Sequence, residues 1–366
     1  MSLFKAQDAA GRHRDSNLEL YRILLMLAII AHHYVINSGL YSDCISGEPS
    51  SGRSLFLLLF GAWGKTGINC FLMITGYYMC QSQISLRKFL KLVFEIEFYK
   101  IVIFIILLAT GHTVCNPRTL RNLLPVTGIT DGFTSCFVVF FLFIPFLNLF
   151  VHSLSKRSYQ FLLGFLFFFY TVLPSTIIPI RFNYVTWFSI VYLIAAYVRL
   201  YPVPLFSNRG FWLVSSIACI IVSCASVLFF AFVFKRMFYW FLADSHKILA
   251  VATSVSLFLF FKNLKMDYHP VINLLAQSIF GVLLIHANSD AMRQWLWNDL
   301  LHTTRFFDSP WLVLHAFGSV AGVYLVCTAI DQARTHLIEK PFFNRFGDTI
   351  DGIQKKIMNI GTTSHV

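Results

Sequence analysis

An arginine and a histidine eleven residues apart in one long apolar run are the first groups of this chain that could do chemistry. The segment Asn17-Leu18-Glu19-Leu20-Tyr21-Arg22 leads into an apolar stretch that ends in Ala31-His32-His33-Tyr34. On a helix, eleven steps of about 100° bring His33 to within about 20° of Arg22, and a rise of about 1.5 Å per residue sets them about 16 Å apart along the axis. Both therefore line one stripe, while His32 lies about 80° away and is the weaker candidate. A buried imidazole is a general base or proton relay, and a guanidinium is an anion-binding or orienting group, so catalysis at His33 with help from Arg22 is the sharper reading. The plainer one makes His33 and Tyr34 an interfacial polar belt and lets Arg22 snorkel to lipid headgroups. Asn17 is the expected N-cap of this helix, and Glu19 sits three residues before Arg22, where the two can pair.

Further ionisable groups fall inside apolar runs, where each charge costs about 2.5 to 3.5 kcal/mol and so marks a candidate site. Gly64-Lys65-Thr66-Gly67-Ile68-Asn69 places Lys65 and Asn69 on one helical face as a polar interior wall. It lacks the upstream glycine and the strand of a phosphate loop. Gly64, Gly67 and Gly76 are expected to let helices approach closely. Glu97 and Lys100 can neutralise each other at three-residue spacing, or reach across to Lys65 or Arg22. His286 closes a late apolar run, as an interfacial or a catalytic residue. Ile338-Glu339-Lys340-Pro341-Phe342 reads as a structural exit from the last run, with Pro341 as a helix stop. The eight cysteines show no paired spacing, so no metal site is expected, although Cys44 and Cys115 fall in outer loops where they could pair.

The elements that must position these groups follow from composition. Of 366 residues, 57 % are hydrophobic and 13 % charged, with a mean hydropathy of +0.67. A soluble chain carries roughly a quarter charged residues, which excludes an ordinary cytosolic enzyme and a disordered protein. About ten apolar runs are long enough to cross a bilayer. They are Leu18–Asn37, Leu55–Met79, Leu92–Thr110, Phe133–Val151, Tyr159–Ile178, Tyr184–Val198, Phe211–Phe234, Ile248–Phe261, Val271–Ala287 and Trp311–Ile330. The fold class is therefore an all-α polytopic membrane bundle. Pro174 and Pro179 leave the end of the fifth run open.

With the N-terminus inside, seventeen Lys and Arg fall on the inner side, including Lys5, Arg12, Arg14, Arg87, Lys88 and Lys91, against nine outside, including Arg181 and Arg293. This bias puts both termini in the cytoplasm. It also accounts for much of the net charge of +12 without invoking a nucleic acid. Residues 1–17 and 336–366 read as cytoplasmic tails around one transmembrane domain, 18–335, whose first run serves as a signal anchor.

Taken in order, these segments resemble the acyltransferase-3 family of multi-pass membrane proteins. Arg22 followed after ten residues by His33 is similar to the family's Arg-x10-His signature. Gly67-Ile68-Asn69-Cys70-Phe71-Leu72-Met73-Ile74-Thr75-Gly76-Tyr77, Phe143-Ile144-Pro145-Phe146-Leu147-Asn148 and Ile338-Glu339-Lys340-Pro341-Phe342 fit its polysaccharide O-acyltransferase branch, as does Ile285-His286. The resemblance runs from about residue 15 to 346. One departure stands out: where many members carry Arg-x-x-Arg and a following proline, Lys88 and Lys91 hold both basic places and Phe replaces Pro. Charge is kept there, but the bidentate fork of Arg is lost.

The resemblance implies a cell-membrane enzyme that moves an acyl group, usually acetyl from acetyl-CoA, to a hydroxyl of a cell-surface or lipid-linked carbohydrate, with no permanently bound cofactor. On this expectation the polyanionic donor docks at a basic inner mouth of Arg22, Lys88 and Lys91, Lys65 helps to hold it, and His33 takes the acceptor's proton. Direct transfer and a covalent acyl-histidine both remain open. Glu19, His32, Asn69, Glu97, Lys100 and His286 are expected around substrate or behind the first residues. The competing class is a carrier or flippase for a lipid-linked saccharide, which predicts paired structural repeats, and the two halves of the chain show no self-similarity.

Overall fold

The computed structural model describes residues 15–125, 127, 132–176, 178, 180 and 183–363. Lys5, Arg12, Arg14, Pro179 and Arg181, with most of the expected 1–17 tail, lie outside the described residues. All regular structure among the described residues is helical. Lipid offers the backbone no hydrogen bonds, so apolar segments must close their own.

The order is α1 (Ser16–Ile36), α2 (Gly52–Phe60), α3 (Gly64–Met79), α4 (Leu86–Ala109), a short α5 (Pro117–Arg121) and α6 (Phe133–Ser153). Then come α7 (Lys156–Phe167), α8 (Leu173–Ser175), α9 (Tyr184–Leu200), α10 (Arg209–Phe229) and α11 (Ile248–Lys262). The chain closes with α12 (Pro270–Leu275), α13 (Ile279–His286), α14 (Asp290–Gln294), α15 (Leu312–Arg334) and α16 (Lys340–Thr363).

Six helical stretches are long and apolar enough to cross a membrane: Ser16–Ile36, Gly52–Met79, Phe133–Ser153, Lys156–Ser175, Arg209–Phe234 and Leu312–Lys356. Pro270–His286 and Asp290–Leu300 form a pair bent by 98° that would make a seventh. The remaining expected runs are helical too, but two are short, 17 residues in α9 and 15 in α11, and α4 carries Glu95, Glu97 and Lys100 in its apolar part. The outward faces are apolar, with Phe146, Phe161, Val214 and Leu325 all more than half exposed, the pattern expected when the solvent is hydrocarbon.

The start of α1 differs from the sequence expectation. Asp15, not Asn17, occupies the N-cap. Asn17 lies inside the helix and donates from Nδ2 to the Phe261 carbonyl at 2.8 Å, while Ser16 Oγ donates to Asn273 Oδ1 at 3.0 Å. Gln332 of α15 bonds the Leu274 carbonyl and Ser278 Oγ beside the same short helix. At the opposite end of α1, Tyr34 meets His315 near the start of α15 at 2.9 Å. α1 and α15 are therefore antiparallel neighbours, and the start of the one and the end of the other share one end of the bundle.

α3 forms the centre, packed on α1, α9 and α11. Its glycines allow this, as the sequence suggested. A Cβ on Gly76 would sit 2.8 Å from the Ala195 Cβ and 2.9 Å from the Tyr192 carbonyl oxygen. Because one of those neighbours is backbone, Gly76→Ala forces α3 and α9 apart and should cost about 1 to 3 kcal/mol, as overpacking does. Thermal unfolding in detergent reads this, and an unchanged midpoint would show that the two helices separate freely.

A buried ion cluster fastens α4 to the end of α15. Arg334 donates to Glu339 at 2.7 Å and to Asp331 at 3.0 Å, and Glu95 of α4 lies 3.4 Å away. Tyr99 of α4 donates to Asp331 at 2.8 Å. All four charged residues are almost fully buried. Glu339, read from the sequence as part of a structural exit, is thus a partner of Arg334.

Candidate functional site

A cavity of about 880 Å³ opens at the end of the bundle remote from the start of α1. The C-terminal ends of α1, α4 and α13 and the N-terminal ends of α6 and α9 surround it, together with the loop that carries α5. The inner wall is apolar, with Met26, Ile68, Leu72 and Phe280 at its depth. Toward the mouth it turns polar and basic. Among the described residues three cations, Lys65, Lys100 and Arg293, and a single carboxylate, Asp290, line it. Arg293 pairs with Asp290 at 2.8 Å and Lys100 with Glu97 at 3.4 Å, which leaves a small net positive charge at the wall.

His33 lines this cavity and His286 stands behind it. His286 is fully buried at the last turn of α13, and its Nδ1 lies 2.6 Å from the Val282 carbonyl. A carbonyl can only accept, so His286 Nδ1 carries the hydrogen and His286 Nε2 keeps its lone pair. That nitrogen is 2.9 Å from His33 Nδ1, which must therefore be the donor. The chain of bonds leaves the lone pair of His33 on Nε2. Backbone geometry thus fixes the tautomers of two side chains in sequence, the usual way a base is oriented by a second group.

His32 is also at the wall but has a different task. Its Nδ1 donates at 2.6 Å to the carbonyl of Gly61, which ends α2 and lacks a helical partner. The ring packs so closely on the start of α3 that a Cβ on Gly64 would fall 2.4 Å from it. His32 holds the break between α2 and α3.

The other expected residues separate into two groups. Lys65 and Lys100 reach the cavity. Lys65 Nζ donates to the Tyr184 hydroxyl at 2.8 Å, and Lys100 Nζ to the Leu124 carbonyl at 3.1 Å. Lys100 also pairs with Glu97 at 3.4 Å, the local pairing foreseen from their spacing, while Glu97 itself stays out of the cavity wall. Arg22 shares the stripe of His33 yet does not line the cavity. It is buried beside Glu19 at 2.7 Å, one helical turn below Met26, and its Nη2 has no hydrogen-bond partner among the described residues.

Asn69 faces away from the cavity as a structural tie, donating to the Ser245 carbonyl at 2.6 Å and accepting from Trp187 Nε1 at 2.8 Å. Lys88 Nζ donates to the Gln83 carbonyl at 3.4 Å, and Lys91 sits 3.7 Å from Glu339 and over the Phe343 ring. The expected basic mouth of Arg22, Lys88 and Lys91 is therefore not assembled: the lysines lie on the α4 edge beside α16 and Arg22 inside the bundle. The Cys44 and Cys115 thiols are both free.

Arg293 escaped the sequence reading because it counted there as a loop charge. The available signal is Ser289-Asp290, where Ser289 accepts from Met292 N and starts α14 directly after His286. That turns the chain back over the cavity and brings Arg293 with it. Asn148, quoted above within a motif, proves to be a clamp: it donates to the Met79 and Ser82 carbonyls and accepts from the Tyr192 hydroxyl at 2.5 Å. Comparison with known proteins finds no matching family model, curated protein or solved structure.

Proposed function

We propose that this chain is a membrane O-acyltransferase of the acyltransferase-3 type that its motifs resemble. In this reading the six long stretches, the bent pair and α4, α9 and α11 make ten spans in the cell membrane, with both termini cytoplasmic. The enzyme moves an acetyl group from acetyl-CoA to a hydroxyl of a cell-surface or lipid-linked carbohydrate. The observation that carries this is the bond order from Val282 through His286 to His33, which presents an oriented basic nitrogen to a cavity of substrate size.

The chemistry follows from that nitrogen. His33 Nε2 takes the proton of the acceptor hydroxyl as its oxygen attacks the thioester carbonyl. The carbon–sulfur bond breaks, the acetyl group passes to oxygen, and the proton leaves with the CoA sulfur. In this reading the donor arrives from the cytoplasmic end, where Arg22, with one nitrogen unpartnered among the described residues, lies one helical turn from Met26 of the cavity wall. Lys65 is the second donor contact. His286 is a positioning residue, because it lies behind His33 and touches no substrate space.

The deciding experiment incubates the purified protein with labelled acetyl-CoA and carbohydrate acceptors. Acceptor-dependent release of CoA is expected. Folded protein that releases none, yet moves a lipid-linked saccharide across vesicles, would establish the carrier instead. Within the enzyme reading, His286→Ala should lower kcat about 100-fold, the scale of losing reacting-group alignment, with KM little changed. His286→Gln should recover part of this, since its side-chain oxygen can accept from His33 Nδ1. Equal losses in Ala and Gln would make the role of His286 one of packing only.

A further inference from the structure

The last long helical stretch runs on from α15 into α16, 45 residues over Leu312–Lys356. Straight, that is about 68 Å, more than twice the ~30 Å hydrocarbon layer, so α16 is more helix than a span needs. The start of α16 is moored to the start of α4. Arg87 donates to the Phe343 carbonyl at 3.0 Å and pairs with Asp351 at 3.4 Å, and Gln354 accepts from the Leu86 amide at 2.9 Å. The turn from α3 into α4 lies at the head of α1, where the Tyr78 hydroxyl donates to Asp15 at 3.2 Å. α16 is thereby held at the rim of the bundle end that carries the start of α1.

Helical periodicity sorts the side chains of α16 through Lys356 into four sectors. With Phe342 at zero and about 100° per residue, Phe343, Gln354, Gly347 and Asp351 occupy about 100° to 180°. This is the face on α4: Phe343 is buried, and a Cβ on Gly347 would fall 2.6 Å from the Arg87 guanidinium. Phe342, Ile353 and Phe346 share one stripe about 40° wide, yet they are 39 %, 47 % and 42 % exposed. Asn344, Lys355 and Asp348 form the pole opposite that stripe, at about 200° to 240°. On the side of the stripe away from α4, about 40° to 60° from Phe342, stand Arg345 and Lys356.

The two border cations have no ion-pair partner among the described residues. Through Lys356 the carboxylates of α16 are Asp348, on the opposite pole, and Asp351, which Arg87 holds. The Arg345 guanidinium lies 5.6 Å from the centre of the Phe346 ring, so its stem covers the edge of the stripe and its charge stands beyond it. A side chain that snorkels from hydrocarbon to headgroups is arranged in this way.

We infer that α16 lies in the bilayer surface at this rim, with its Phe342, Phe346 and Ile353 stripe in the acyl boundary and Arg345 and Lys356 on the phosphates of anionic phospholipid. Exposed apolar side chains, a row of unpaired cations along one edge and a polar opposite pole are what an interfacial helix needs. Continuity supplies the occupant, because Leu337 and Ile338, in the turn between α15 and α16, carry the exposed apolar surface of the spanning part down to the stripe. A second copy fits less well: a two-fold contact sets this face against itself and brings the border cations of the two chains together. The spanning helices and α16 alone are required, and the acyltransferase reading is not.

The test uses the full chain in nanodiscs of phosphatidylcholine, alone or with about a third phosphatidylglycerol, and reads amide hydrogen exchange over α16. In the mixed discs exchange should slow about thirtyfold, the scale of two basic side chains at an anionic surface. Arg345→Gln with Lys356→Gln should remove that difference and leave exchange in phosphatidylcholine near wild type, since neither side chain holds α4. Lys355→Gln, on the opposite pole, should keep most of it. Ile353→Ser should speed exchange in both discs. Equal exchange in the two lipids, a difference that survives in the Arg345 and Lys356 double variant, or an unchanged rate in Ile353→Ser would each overturn the inference. Protection that appears only in discs holding two chains would overturn it too, and would give the face to a second copy.

Discussion

Replacing His33 by alanine should lower kcat for acyl transfer by about 10²- to 10⁴-fold, the range of a lost general base, while the protein still folds and binds donor. The expectation has three parts. His33 borders open space on one side, so its removal enlarges the cavity without leaving a packed void. In the proposed reading the donor is held by Arg22 and Lys65, neither of which is bonded to His33, so KM for acetyl-CoA should move little. His286 Nε2 loses its donor, but a water admitted from the cavity can replace it.

The chamber left behind suits chemical rescue. Added imidazole at millimolar concentration should restore part of the rate in His33→Ala and none in His286→Ala, whose base is present but misdirected. Measured kcat, KM and rescue separate the roles. Full activity in the His33 variant would falsify its assignment as the base, and activity lost only on changing His286 would move the base to that residue.

Much of the framework was legible because lipid is a demanding solvent: a run of apolar residues has to be helical, and each expected run is helical over most of its described residues. The stripe of Arg22 and His33 was legible for the same reason, since it needs only helical periodicity. What periodicity cannot convey is which neighbour a side chain meets. The Glu19–Arg22 pair was still legible from its three-residue spacing, but not that it holds the arginine below the cavity rather than within it. Asn69, on the face of Lys65 by spacing, is taken by Trp187 and Ser245, because α9 and the loop before α11 close on that side of α3.

His286 carried a signal, a histidine ending an apolar run, but its role depends on a partner 253 positions away. Charges near span ends were the least legible. Arg293 and Arg334 look alike as flanking basic residues, yet one lines a chamber and the other ties down a buried cluster. Lys88 and Lys91 show the converse, for the family resemblance placed them in a donor site and Glu339, in the turn just before α16, claims Lys91.

Removing Arg334 should be the most destabilising single change outside the cavity. Arg334→Met leaves Glu95, Asp331 and Glu339 facing one another without the guanidinium, with Lys91 3.7 Å from Glu339. Breaking a buried pair by deleting one partner costs about 3 to 5 kcal/mol, because the remaining charge stays desolvated. The three carboxylates are not equivalent. Asp331 and Glu339 accept hydrogen bonds from the guanidinium, whereas Glu95 approaches to 3.4 Å and its Oε1 accepts none. Glu95→Gln should therefore be nearly neutral or slightly stabilising, since it removes one of three buried negative charges from around one guanidinium.

Thermal unfolding of both variants in one detergent checks the order: Arg334→Met melting well below wild type, Glu95→Gln at or above it. Coincident melting of the two would mean that water reaches the cluster and screens it.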